Sequence, residues 1–129
     1  MKIAIIGAGM VGGTLGSRFA EKGHEIHFGV PHPKKSENQE LVARIGNNAR
    51  VGTVAEAPKD AEIVLLAVHT EVIEDALKNC GDLSGKILVN STNPLAKDGN
   101  SLFLTVGFDG SGAEQIAKLA KGAKVVKCF

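Results

Sequence analysis

The sequence predicts an α/β fold in one domain over residues 1–129: a doubly wound, six-stranded parallel sheet covered by helices on both faces, three layers in all. Three observations carry this. Short apolar runs alternate with segments of helical periodicity along the chain. The run Ile63-Val64-Leu65-Leu66-Ala67-Val68 is apolar on both faces, which suits a central strand covered from both sides. The first run, Lys2 to Ile6, breaks at once into Gly7-Ala8-Gly9-Met10-Val11-Gly12, a glycine-rich turn before a helical pattern.

The strands read in order as Lys2 to Ile6, Glu25 to Gly29, Val51 to Gly52, Ile63 to Val68, Lys86 to Asn90 and Lys124 to Lys127. Helices fall between them. The first carries Val11, Leu15 and Phe19 at i, i+4 and i+8 and stops near Gly23. Ser36 with Gln39 spells a capping box ahead of Leu41, Val42 and Ile45, and Thr53 with Glu56 spells another at a short helical turn. Thr70 is placed to cap the helix carrying Val72, Ile73, Ala76 and Leu77, and Ser111 with Glu114 precedes Ile116 and Leu119. Right-handed crossovers then give the strand order 3-2-1-4-5-6, the arrangement of a Rossmann fold. The stretch Asn93 to Gly110 stands outside this scheme. It is rich in Gly, Asn and Asp around the apolar island Leu102 to Val106. It reads as a ligand-facing loop leaving the fifth strand, or else as a disordered surface loop.

Bulk properties exclude several classes of function. Hydrophobic residues make up 43% and charged residues 22%, with a net charge of +1, so no strong field draws the protein to nucleic acid or an anionic membrane. Trp and Tyr are absent and the five Phe are scattered, which removes the stacking platforms of single-strand binders. No segment reaches the roughly 20 apolar residues of a membrane span, and the N-terminal apolar run is too short for a signal peptide. Cys80 and Cys128 form no metal-like spacing and read as reduced thiols of a cytoplasmic protein. No metal site and no set of nucleophile and base stands out, so no catalytic residue is assigned.

The glycine turn carries the chemistry. Gly7 permits the tight turn, Gly9 lacks the Cβ that would block a pyrophosphate, and Gly12 lets the helix lie close to the sheet. The first helical residues, Met10 and Val11, then offer backbone N–H groups and a partial positive charge to the phosphates. NAD-binding versions place an acid at the end of the second strand to take the ribose hydroxyls. Here Gly29-Val30-Pro31-His32-Pro33-Lys34-Lys35 has none, and Glu37 falls in the first turn of the next helix. His32, Lys34 and Lys35, beside Val30, form a cationic pocket suited to an adenosine 2′-phosphate, which favours NADP over NAD. The alternative is a solvated lysine loop. Val68 and His69 follow the fourth strand, where His69 either touches cofactor or substrate or only starts a helix. Thr92, Asn93 and Pro94 follow the fifth, within reach of a nicotinamide ribose or carboxamide. His24 and His27 flank the start of the second strand and read as structural.

Taken together, the turn Ile6 to Gly12, the run Gly23-His24-Glu25-Ile26, the loop Ser91-Thr92-Asn93-Pro94, and the tail Ser111-Gly112-Ala113-Glu114 through Lys124-Val125-Val126-Lys127 resemble the NADP-binding domain of the deazaflavin (coenzyme F-420)-dependent NADP oxidoreductases. The related cytosolic domains of membrane ferric reductases are similar. The resemblance spans the chain and implies hydride transfer between NADP(H) and a small-molecule redox co-substrate, a deazaflavin or flavin, bound against the nicotinamide. It also implies a homodimer. Two departures stand out. The family commonly has Ser/Thr-Arg after the second-strand glycine, where this chain has Val30-Pro31, so NADP preference rests on His32, Lys34 and Lys35. Family members also continue past the position of Phe129 with a segment that helps form the partner site. Two other readings stay open: a non-catalytic nucleotide-sensing module, and a reductase of a small imine, keto or hydroxy acid, since such enzymes open with similar domains.

Overall fold

A computed structural model describes residues 1–69, 72–90, 95–98, 101–104 and 122–127. Its elements are β1 (Lys2–Ile6), α1 (Met10–Glu21), β2 (Glu25–Gly29), α2 (Ser36–Ile45), β3 (Ala49–Gly52), β4 (Ile63–Leu66), α3 (Ile73–Cys80), β5 (Ile87–Asn90), β6 (Leu95–Asp98), β7 (Ser101–Leu104) and β8 (Lys124–Lys127). Six of the strands form one sheet in the order β3-β2-β1-β4-β5-β8, parallel at every junction. This is the predicted order, with β8 as the sixth strand of the sheet.

Alternation along the strands divides the core between two faces. Ile3 and Ile5 of β1, Ile26 and Phe28 of β2, Ala49 of β3 and Leu65 of β4 pack with Ala20 of α1 and Leu41 of α2. Ala4 and Ile6, Val64 and Leu66, and Leu88 of β5 pack on the other face with Ala76, Leu77 and Cys80 of α3 and with Val54, Ala57 and Ala61. The central strands β1 and β4 therefore bury residues on both sides, as their unbroken apolar runs require. Gly16 lets α1 settle on this core, because a Cβ there would overlap the Phe28 ring. Each fully buried Ile, Leu or Phe contributes roughly 1.5–3 kcal/mol relative to exposure.

Several local expectations change. β3 begins two residues earlier than read, β4 ends two earlier, and β5 begins one later. The stretch Asn93 to Gly110, expected to be an unstructured loop, contains the antiparallel pair β6–β7, with Leu95 opposite Leu104 and Asp98 opposite Ser101. The Ser36 capping box does not form. α2 is capped at Lys35 with no side-chain bond, so Ser36 already lies inside the first turn. The Thr53 box does form: Glu56 N–H donates to Thr53 Oγ1 at 3.1 Å and Thr53 N–H to a Glu56 carboxylate oxygen at 3.3 Å. It opens a run of turns over residues 54–60 rather than a helix. α3 starts at Ile73 with Val72 as its cap, while Thr70 and the segment Ser111 to Leu119 lie outside the described residues.

Candidate cofactor site

In a parallel sheet the strands end together, and the segments leaving them share one edge. Here Ile6 pairs with Gly29 and Leu66, Gly29 with Gly52, and Leu66 with Asn90. Backbone bonds carry the alignment one residue further: Gly7 N–H to Gly29 O at 3.0 Å, Ala67 N–H to Ile6 O at 2.9 Å, and Val30 N–H to Gly52 O at 3.0 Å. The order reverses between β1 and β4, and that switch point is where doubly wound sheets bind ligands.

The glycine turn sits at the switch point, and its three glycines meet different surroundings. Gly7 has φ +107°, and a Cβ there would run into the Ala67 carbonyl. At Gly12 a Cβ would overlap the Gly7 carbonyl oxygen, so that position needs glycine for packing. At Gly9 a Cβ would meet nothing within 4 Å. Gly9 faces open space and is also the N-cap of α1, with no side-chain cap and no acid in the helix's first turn. Met10 and Val11 are 89% and 50% exposed. The helix start thus has unoccupied space beside it, and its first N–H groups have no intrahelical acceptor. This is the setting in which an anion binds a helix N-terminus.

The loop after β2 is built differently. Val30 is 4% exposed, with its side chain in the core, whereas His32, Lys34 and Lys35 are exposed. The ion pairs among the described residues are Arg18–Glu21, Arg50–Asp60 and Glu74–Lys78, so among those residues none of the three loop side chains is paired with an acid. Two side chains of α2 reach back to the loop. Asn38 Nδ2 donates to the His32 carbonyl at 2.9 Å, and Gln39 Nε2 donates to the Pro33 carbonyl at 2.7 Å. Sequence reading missed this contact because it assigned Gln39 to a capping box. It also set Glu37 aside. A cleft of about 250 Å³ runs between Gly9 and Met10 on one wall and Glu37, Glu40 and Arg44 on the other. The spacing 37, 40, 44 is one helical face, a signal present in the sequence.

Beyond β4, Val68 is half-buried against the α3-side core and His69 is exposed, its carbonyl accepting the Val72 N–H at 3.0 Å. Asn90, at the end of β5, is a fully buried polar residue on this edge. Thr92, Asn93 and Pro94 lie outside the described residues. The structure therefore brings Gly7, Gly9, Met10, Val11, Gly12, Val30, His32, Lys34, Lys35, Val68 and His69 to one edge of the sheet.

The remaining titratable groups lie elsewhere. A cavity of about 280 Å³ lined by Lys2, Glu25, His27, Arg50 and Asp60 opens at the opposite, amino-terminal edge. There burial, with Arg50 nearby, holds the His27 imidazole below its usual range, against smaller opposing pulls from Glu56 and Asp60. His24 packs edge-on against Phe19 with ring centres 6.3 Å apart. Cys80 is buried, and burial raises its thiol to about 11. No helix among the described residues is long and apolar enough to cross a membrane.

Comparison with known proteins places this chain among NADP-linked reductases of one family and its structural relatives. The family described as NADP oxidoreductase, coenzyme F420-dependent, matches residues 2–94. Among solved structures, a candidate F420-dependent NADP reductase from Arthrobacter sp. FB24 superposes with a TM-score of 0.89 at 31% identity, over 98% of this chain and 61% of that one. The Sinorhizobium meliloti protein SMa0349 superposes at 0.86 with 27% identity, over 100% of this chain and 61% of its own. Metalloreductase STEAP3 of Rattus norvegicus is 28% identical over 128 residues, which is 99% of this chain and 24% of the metalloreductase. The chain thus spans about three fifths of the two solved chains and a quarter of the curated relative. An imine reductase from Myxococcus stipitatus, solved with NADP+, shares the fold at 22% identity and a TM-score of 0.69.

Proposed function

Because the chain belongs to the family of coenzyme F420-dependent NADP oxidoreductases, we propose that it binds NADP(H) along the carboxyl edge of its sheet and presents the nicotinamide to a second redox carrier. The observation that carries this is the open side of Gly9 at the uncapped start of α1, which leaves room for a pyrophosphate that a side chain at this position would occupy. In this reading Gly7 and Gly12 hold the turn's shape. The first N–H groups of α1, at Met10, Val11 and Gly12, donate to the pyrophosphate oxygens. His32, Lys34 and Lys35 meet the adenosine 2′-phosphate, with Val30 setting where the loop leaves the sheet. Val68, His69, Thr92, Asn93 and Pro94 border the nicotinamide ribose. Bound NADPH supplies the hydride, so the protein's part is to orient the cofactor and shield one of its faces.

The co-substrate in this proposal is a deazaflavin or flavin, the carrier class for which the family is described. The likeness to a metalloreductase adds a ferric acceptor as the second arm of the assay. The cytoplasm and a homodimer complete the proposal, and sedimentation of the purified chain tests the latter. For the cofactor, NADPH and NADH are titrated by fluorescence against this chain. Tighter NADPH binding supports the reading, and equal or absent binding of both overturns it. Oxidation of NADPH is then followed with a deazaflavin, a flavin or a ferric chelate. Tight binding without turnover on any of them would favour a nucleotide-sensing module.

A further inference from the structure

We propose that Asn38 and Gln39 are positioning residues for discrimination between NADP and NAD, acting by holding the loop His32–Lys35 in its binding shape before the cofactor arrives. The inference rests on the NADP reading above and adds to it the means by which a loop without the family's arginine selects a phosphate.

The sequence already stiffens the loop. Pro31 and Pro33 fix φ at two positions, and each also confines the residue before it, Val30 and His32, to extended conformations. The loop is anchored at its start by the Val30 N–H bond to Gly52 O at 3.0 Å. At its far end the Lys35 N–H donates to the His32 carbonyl at 3.1 Å. The two α2 amides then add bonds to consecutive carbonyls, those of His32 and Pro33. Three exposed groups that can carry positive charge, His32, Lys34 and Lys35, thus sit within four residues with no acid paired to them. In a free loop they would spread apart, and a phosphate would have to bear the ordering entropy of gathering them. The clamps also fit the task chemically. A carbonyl needs a donor, which Asn and Gln supply without charge. An acid at position 38 or 39 could not donate and would draw the lysines away from a phosphate. α2 carries Glu37 and Glu40 on either side of the pair.

This arrangement has a specific consequence. Only the adenosine 2′-phosphate would touch the loop, while the pyrophosphate seat at Gly9 belongs to α1. Loosening the clamps should therefore weaken NADPH and leave NADH largely unchanged, whereas general loss of structure would weaken both. The test is the double variant Asn38→Leu/Gln39→Met, which keeps side-chain size and does not lower helix propensity while removing both donors. Dissociation constants are measured for NADPH, NADH, 2′,5′-ADP and 5′-AMP, alongside a Lys34→Ala/Lys35→Ala variant. The expected result is a loss of roughly tenfold for NADPH and 2′,5′-ADP, from two hydrogen bonds at about threefold each, with NADH and 5′-AMP within twofold. If the lysine variant loses NADPH selectively but the clamp variant does not, or loses all four ligands alike, the positioning role is overturned. If the lysine variant leaves the NADPH-to-NADH ratio unchanged, the 2′-phosphate reading itself fails and the clamps lose their purpose.

Discussion

The loops that follow β1 and β2 lie side by side on one edge of the sheet and work by opposite means. The first, Gly7 to Gly12, works by what it lacks: side chains are missing where carbonyls crowd, at Gly7 and Gly12, and where space is left open, at Gly9. The second, Val30 to Lys35, works by what it adds, namely two prolines and three exposed basic groups, held by two neutral clamps from α2. Under the proposed NADP reading, the difference is a division of labour. A pyrophosphate is common to both nicotinamide cofactors, and bare backbone suffices to seat it. The 2′-phosphate distinguishes one cofactor from the other, and recognising it needs side chains held in place.

Four measurements would break or sharpen this contrast. The largest effect is expected at Gly9. Gly9→Val should reduce affinity for NADPH and NADH alike by about 100-fold or more, because it displaces at least two charge-assisted bonds. The melting temperature should stay near that of the wild type, since a Cβ at Gly9 meets nothing within 4 Å. Retained affinity would remove the pyrophosphate from this turn. Next is Gly16, where the same substitution should do the reverse. Gly16→Val forces a side chain into Phe28 and should cost about 1–3 kcal/mol in urea denaturation, as overpacking does. A neutral result would show that α1 can lift off the sheet freely.

The third effect falls on the second loop alone. Lys34→Ala/Lys35→Ala should weaken NADPH about tenfold and NADH by less than twofold, the scale of one or two surface contacts to a charged group. Equal weakening would erase the contrast between the loops. The smallest effect belongs to His27, away from both loops. Burial and Arg50 hold its pKa below the usual imidazole range, so the folded protein binds this proton less readily than the unfolded chain. The stability it supports is present above the unfolded pKa of about 6.5 and is lost as pH falls toward and through the lower folded value. The urea midpoint should therefore drop between pH 7.5 and 5.5, and His27→Gln should flatten that drop. A midpoint that rises on acidification would contradict the burial assigned to this ring.

What the sequence revealed follows the same contrast. Strand order and the two-faced burial of β1 and β4 were legible because unbroken apolar runs admit few other placements. The glycine turn was legible because its requirements are steric and local. The clamps were not. Ser36 and Gln39 satisfy the spacing of a capping box, but the turn that ends in Lys35 starts the helix one residue sooner than that pattern needs, which frees Gln39 to reach the Pro33 carbonyl. The pair β6–β7 was missed for a different reason. Gly99-Asn100 between Asp98 and Ser101 is a two-residue hairpin signal, but within a stretch rich in Gly, Asn and Asp it read as part of a loop. Glu37 was set aside because it falls in the first turn of α2, beyond the second strand, although with Glu40 and Arg44 it lines one wall of the cleft beside Gly9.

The last strand of the sheet has a consequence for how the molecule meets its own kind. Among the described residues β8 is the outermost strand of the sheet and reads Lys124-Val125-Val126-Lys127, with Val126 half exposed. An open strand edge is a template for adding another strand. This one is a palindrome with a lysine at each end. A second copy laid antiparallel against it about a two-fold axis would set each Lys124 opposite a Lys127, and like charges directly opposite are unfavourable. Among the described residues, a lysine at each end of this strand would therefore disfavour that symmetric sheet extension.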